Sequence, residues 1–212
     1  MSRGLGDVYK RQGHTREDIF RSARLLKERG FETGLQMMTG LYGSNDEDSI
    51  GTARDIISLS PDTARIYPTV VIENTELAEL YRNGEYRPQT PEEAAVLCAK
   101  ILPMFERAGI KVIRLGLHSG GDVGGSFVAG AYHPALREMC EGHIYFDIIN
   151  RALSGKEKGK YIIYVAPREV SKASGQRRCN IEKLRELGYE CRIKENAALS
   201  ARDITLEKVN LL

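Results

Sequence analysis

The sequence predicts an α/β protein: the second half of a parallel (βα) barrel, followed by a small α+β domain. Three observations predict it. Between Gly13 and Leu117 helical and strand periods alternate, which is the arithmetic of parallel βα units. The first patterned element is a helix with no strand ahead of it, so earlier units are expected upstream. After Leu117 the pattern changes to a glycine-rich loop and then to short helices and strands.

The elements follow in order. Residues 1–12 carry no helical or strand period and read as a non-native leader. Thr15 caps a helix whose first turn holds Glu17 and Asp18, and Ile19, Ala23 and Leu26 form its apolar stripe. Gly30 ends it, and a strand runs from Thr33 to Leu41. Asp46, Glu47 and Asp48 open a helix that Pro61 closes, and a strand is expected from Thr63 to Ile72. Asn74 or Thr75 caps a short helix. Thr90-Pro91-Glu92-Glu93 is a strong helix start, with Pro103 expected to kink that helix and Gly109 to stop it. Lys111 to Leu117 is the third strand. His118 to Gly130 reads as loop, Pro134 to Cys140 as helix, and Tyr161 to Val165 as strand. Two helices (Pro167 to Ala173, Asn180 to Leu187) and a strand from Tyr189 to Lys194 complete the pattern.

Composition excludes several classes. The 212 residues are 42% hydrophobic and 28% charged with a net charge of +2, ordinary for a globular chain able to bury a core. No apolar run is long enough to span a bilayer, and no secretory signal opens the chain, so a cytoplasmic protein without a membrane partner is expected. Cys98, Cys140, Cys179 and Cys191 lack the close spacing of a local zinc or iron–sulfur site, and no metal ligand is assigned. His118, His133 and His143 also lack a short ligand spacing. Charge is uneven. Residues 151–212 hold 14 basic and 8 acidic side chains, against 17 and 21 in the rest, an asymmetry that suits either a polyanion surface or a solvated face.

Two strands carry polar residues where a buried strand should be apolar. Gln36 and Met38 share one face of theirs and Met37 the other, so Gln36 can point inward at a ligand or pair with a neighbouring strand. Arg65 and Tyr67 share a face of the next, where they can line a mouth or reach the rim, and Pro68 interrupts the ladder.

Several strings together resemble the second half of a radical SAM barrel: Gly13-His14-Thr15; Leu35 to Leu41 (LQMMTGL); Arg65 to Val71 (RIYPTVV); Thr75-Glu76-Leu77; and Gly84-Glu85-Tyr86. The nearest resemblance is to the group that includes the elongator catalytic subunit and the oxygen-independent coproporphyrinogen oxidases. Gly130 to Glu138 (GAYHPALRE) resembles the radical SAM C-terminal region of that group. The implied layout is 13–118 as the C-terminal half of the barrel, 119–153 as the C-terminal extension and 154–212 as a small α+β domain. The resemblance implies a parent enzyme with S-adenosylmethionine and a [4Fe–4S] cluster. Three cysteines of a CxxxCxxC loop hold the cluster, which reductively cleaves the cofactor to a 5′-deoxyadenosyl radical. It also implies that Gln36, Met38, Gly40, Tyr67 and Pro68 line the cofactor. Gln36 would bond a sugar or amino-acid oxygen, and Met38 would pack the adenine.

The chain departs from that pattern by having no CxxxCxxC. It is therefore expected to be a truncated enzyme, inactive alone, with the catalytic residues unassigned. The tail from Tyr161 resembles a KH-like RNA module, in which a GxxG turn clamps the sugar–phosphate backbone. Gly175-Gln176-Arg177-Arg178 stands at the turn, with Arg in place of the second glycine. This makes tRNA a candidate partner and an RNA-binding module the alternative function. A barrel of unrelated metabolic chemistry is the third reading. Substrate and oligomeric state are not legible.

Overall fold

The computed structural model describes residues 15–118 and 125–209. The expected leader at 1–12, and the glycine-rich stretch at 119–124, lie outside the described residues. The chain divides into two compact units, Met1–Leu136 and Arg137–Leu212. Among the described residues, no helix is long and apolar enough to cross a membrane.

The first unit is built from helix–strand repeats. Helix α1 (Arg16–Glu28) is closed by a reciprocal box between Thr15 and Asp18 and leads to strand β1 (Gly34–Thr39). A second box, Asn45 with Asp48, starts α2 (Asp46–Ser58), which leads to β2 (Thr63–Pro68). A short strand β3 (Val70–Ile72) and helix α3 (Glu76–Arg82), capped by Thr75, precede α4 (Pro91–Arg107). Helix α4 opens with the Thr90–Glu93 box and Pro91, runs without interruption through Pro103, and leads to β4 (Lys111–Leu115).

Strands β1, β2 and β4 form a parallel sheet in the order β1-β2-β4. One face of it is apolar and buried: Met37, Ala64, Ile66, Val112 and Leu115. Helices α2 and α4 pack on this sheet, and Leu97, Ile101, Leu102 and Phe105 of α4 are at most 1% exposed. Each such side chain contributes about 1.5–3 kcal/mol relative to staying in water.

The single strand expected from Thr63 to Ile72 is two strands. Pro68 has no N–H for the ladder, so β2 ends there. Thr69 then turns the chain, donating both its N–H (2.9 Å) and its hydroxyl (2.7 Å) to the Thr39 carbonyl. Strand β3 pairs instead, antiparallel, with β5 (Phe127–Gly130), a strand inside the stretch expected to be loop. A small cluster of Val71, Ala78 and Tyr86 packs beside this ribbon.

In the second unit, the helix expected to stop at Cys140 is α5 (Leu136–Leu153). Its Tyr145, Ile149 and Leu153, one turn apart, enter the same core as Ile163, Val165, Leu184 and Tyr189. The contact division thus groups the later part of the expected C-terminal extension with the small domain. Strand β6 (Gly159–Val165) is central, parallel to β7 (Tyr189–Glu195) and antiparallel to β8 (Ile204–Lys208), a strand the sequence reading did not include. Between β6 and β7 lie α6 (Val170–Ser174), a tight turn at Gln176–Arg178 and α7 (Cys179–Glu186). The buried Asn180 side chain donates to the carbonyls of Gly142 (2.8 Å) and Ala173 (3.1 Å), tying α7 to α5 and α6.

Candidate cofactor face

The first unit's sheet has one face under helices and one open face. The alternation of burial along β1 and β2 assigns each residue to a face. Gln36 and Met38 of β1 lie on the open face, as do Arg65 and Tyr67 of β2. Register arranges them in transverse rows: Gln36 lies opposite Arg65, and Met38 opposite Tyr67. The upper row, near the C-terminal strand ends, is a thioether beside a phenol, a surface suited to a flat aromatic ring. The lower row is polar. In parallel α/β sheets ligands bind outside the C-terminal strand ends, and the Met38–Tyr67 row lies toward that end.

Three of the five residues expected at the cofactor therefore share this face: Gln36, Met38 and Tyr67. Pro68 does not share it. It follows Tyr67 on the strand, so its side chain turns to the other face, where it is buried with Ile66 and Thr39. Gly40 lies just past the end of β1 and serves a separate cleft. Its φ is +69°, and a Cβ there would stand 2.7 Å from Gln89 Oε1. Its carbonyl accepts a 2.6 Å hydrogen bond from the Tyr86 hydroxyl. The cleft, about 700 Å³, lies between Gly40–Asp46 and the segment around Tyr86 and Gln89. Tyr42 meets Tyr86 edge-on there, with ring centroids 6.1 Å apart. Burial pushes the Tyr86 hydroxyl up to about 12, so it stays a donor at neutral pH.

Sequence reasoning missed Arg114 at the open face and Tyr86 and Gln89 in the cleft. Only Tyr86 had left a signal, in the Gly84-Glu85-Tyr86 string.

In the second unit, Gly175 (φ +74°), Arg177 (φ +52°) and Arg178 (φ +64°) form a left-handed turn before α7. Gln176, Arg177 and Arg178 are exposed, Gly175 is buried, and neither arginine is in an ion pair among the described residues. Position 178 thus takes the backbone conformation of a glycine although it is Arg.

The cysteines do not fit an iron–sulfur cluster. Cys98, Cys140 and Cys191 are buried and Cys179 is exposed. Cys98 belongs to the first unit and the other three to the second. Among the described residues, no three His, Cys, Asp or Glu side chains converge on a point where a metal ion could be held.

Comparison with known proteins finds similarity over part of the chain. Residues 61–145 match the Radical_SAM C-terminal domain. The chain is 36% identical over 103 residues to the tRNA uridine(34) acetyltransferase of Methanocaldococcus jannaschii, covering 46% of this chain and 19% of that protein. It is 32% identical over 116 residues to Elongator complex protein 3 of Homo sapiens, covering 48% and 20%. Residues 61–145 are thus similar to the radical SAM C-terminal domain. The resemblance carried by the RIYPTVV and HPALRE strings is thereby borne out, and the relatives fall in the elongator-catalytic-subunit group. A longer match, 29% over 140 residues, is to the tRNA uridine(34) acetyltransferase of Dehalococcoides mccartyi, covering 62% of this chain and 29% of that protein. The chain spans about a fifth of the length of the first two of these relatives.

Proposed function

We propose that this chain is part of a cytoplasmic radical SAM enzyme that modifies tRNA, and that its own part is to hold the adenosyl group of S-adenosylmethionine. The observation that carries the reading is the register of Met38 opposite Tyr67, on a sheet whose second strand lies within the matched radical SAM segment. Met38 and Tyr67 offer the adenine an apolar, aromatic surface, and Gln36 offers a neighbouring sugar or amino-acid oxygen a hydrogen bond. When bound to a [4Fe–4S] cluster, the cofactor supplies one-electron chemistry. The chain has no CxxxCxxC to hold that cluster. The tRNA assignment rests on the relatives named above for acting on tRNA uridine(34).

Titration calorimetry of the full chain with S-adenosylhomocysteine tests the adenosyl part. Binding that weakens about tenfold on Tyr67→Ala is expected; no binding by the wild-type chain sinks it. Anaerobic iron–sulfur reconstitution tests the other part. The chain alone is expected to form no stable cluster and to release no 5′-deoxyadenosine, and cluster absorbance with turnover contradicts that.

A second reading has its own observation: the exposed, left-handed Arg177-Arg178 turn in the basic part of the chain suits a phosphate backbone. It makes the second unit an RNA-contacting module, compatible with the first reading.

A further inference from the structure

The register slip between β2 and β4, which leaves Ile113 as the extra residue of a bulge and sets Arg114 opposite Arg65, belongs to the open face. The cleft past the end of β1 does not, and the adenosyl reading leaves it unused. Its volume, about 700 Å³, lies in the range of small-molecule sites, ~300–1,000 Å³. Its walls carry four carboxylates, Asp46, Glu85, Glu92 and Glu93, and one guanidinium, Arg87. Arg87 is spent on Glu93, 2.6 Å away. Glu93 also accepts the Thr90 N–H at 2.8 Å, and the bonds from Thr90 and Arg87 hold its carboxyl below the usual range. Lys100 approaches Asp46 only to 3.9 Å, from outside the walls.

Helix starts explain part of this charge. Asp46 and Glu92 stand in the first turns of α2 and α4, where a carboxylate favours the positive end of the helix dipole. Glu85 has no such role. It lies exposed between α3 and α4, and its carboxylate accepts from the Asn83 amide at 3.4 Å. The same walls hold two further features. The Gln89 amide oxygen is buried and meets no hydrogen-bond donor among the described residues. It lies against Gly40, where a Cβ would stand 2.7 Å from it, and the last torsion of a Gln side chain is soft enough to turn it toward the cleft. A buried acceptor left without a donor costs stability, and an incoming N–H would repair that defect. Tyr42 and Tyr86 meet at 77°, and the corner between their rings presents negative π faces.

Carboxylates in excess, an acceptor with no donor and two aromatic rings all favour one kind of ligand, a cation rich in N–H groups. We infer that the cleft binds a small organic cation bearing a guanidinium or primary ammonium group, with Gln89 and Glu85 as acceptors and Tyr42 against its charge. An anion is disfavoured by the three carboxylates that no cation of the walls offsets. The cationic group has two sources, a free amine or the side chain of a protein's Arg or Lys, and both present the same donors. The site stands apart from the adenosyl reading, since it shares no residue with the Met38–Tyr67 face.

Calorimetry of the full chain tests the site with spermidine, agmatine, N-acetylarginine amide and N,N′-diacetylputrescine, the last a neutral molecule of similar length. The cations are expected to bind, more weakly as salt is raised, and the neutral molecule is not. Glu85→Gln should weaken the preferred cation about fivefold. Glu85 is exposed, so that variant tests the site without disturbing the fold. Gln89→Met should weaken binding about tenfold and melt at or above the wild-type temperature, because it removes the unpaired oxygen. A preference for spermidine or agmatine identifies a free amine as the source, and a preference for the blocked arginine identifies a protein side chain. Methylthioadenosine, which carries adenosine without a cation, should bind wild type and both variants alike. Its failure to bind removes the adenosyl reading and leaves the cleft standing. Failure of every cation to bind, equal affinity of the neutral molecule, or an affinity that survives both substitutions overturns the site.

Discussion

The Tyr86 hydroxyl donates a 2.6 Å hydrogen bond to the carbonyl of Gly40, 46 residues earlier in the chain. The bond joins the turn at the end of β1 to the segment ahead of α4, the two walls of the cleft in the first unit. Tyr86→Phe keeps the ring against Tyr42 and removes only this bond. It is expected to lower stability by about 1 kcal/mol, read as a fall in melting temperature. The pH dependence has a definite sign. The folded-state value is raised from 10.0 to about 12, so the contribution is complete below pH 10 and is lost as pH climbs toward 12. An identical alkaline loss in Tyr86→Phe would show that another group is responsible.

Glu169 is the acidic counterpart in the second unit. Burial raises its carboxyl value, but bonds from Lys172 (2.7 Å) and the Tyr145 hydroxyl (2.8 Å) outweigh that, and the net shift is downward. A depressed carboxyl stabilises the fold above the ordinary value of 4.5, and the contribution is lost as pH falls below it. Acid titration of Glu169→Gln by circular dichroism should therefore show a shallower loss of structure below that pH than wild type. Superimposable acid limbs would contradict the assignment.

The four thiols are expected to differ sharply in reactivity. Burial pushes Cys98 up to about 12 and Cys191 to about 11, Cys140 is buried, and Cys179 alone is exposed. Under native conditions a water-soluble thiol reagent should therefore modify one cysteine quickly, and Cys179→Ser should abolish that phase. The remaining three should react only with denaturant. A second fast thiol in the Cys179→Ser chain would contradict the buried placement of the others.

Arg177→Gln with Arg178→Gln tests the RNA reading of the second unit. A tRNA gel shift by wild type that weakens with salt, and that flattens by about 0.7–0.9 in log–log slope for each phosphate contact removed, is expected. An unchanged slope in the double variant removes this turn from any RNA contact.

Local signals were legible in the sequence and long-range ones were not. Thr15 and the Thr90-Pro91-Glu92-Glu93 start lie within one helical turn of the N–H groups they satisfy, so a sequence window contains the whole interaction. Strand β8 was invisible because its partner β6 lies some forty residues earlier, as in the Tyr164 and Glu207 pair. Strand β5 was hidden by its glycine-rich surroundings, and only pairing with β3 reveals it. At the site, strict alternation placed Gln36 and Met38 together. The same rule applied at Tyr67 separates Pro68 from it, which the family resemblance had obscured. Arg114 could not be found at all, since a bulge leaves no period in a five-residue strand.

That bulge makes β4 tolerant of a change in length that most strands reject. In a regular strand, removing one residue swaps every later side chain to the opposite face. Excising Ile113 instead leaves Val112 opposite Ala64 and allows Arg114 opposite Arg65 and Leu115 opposite Ile66 in an unbroken ladder. The shortened chain is expected to fold with a melting temperature near that of wild type, whereas excising Val112 should collapse the unit. A gap of one residue at this position in related sequences would accordingly mark straightening of the strand and no change in what its faces present.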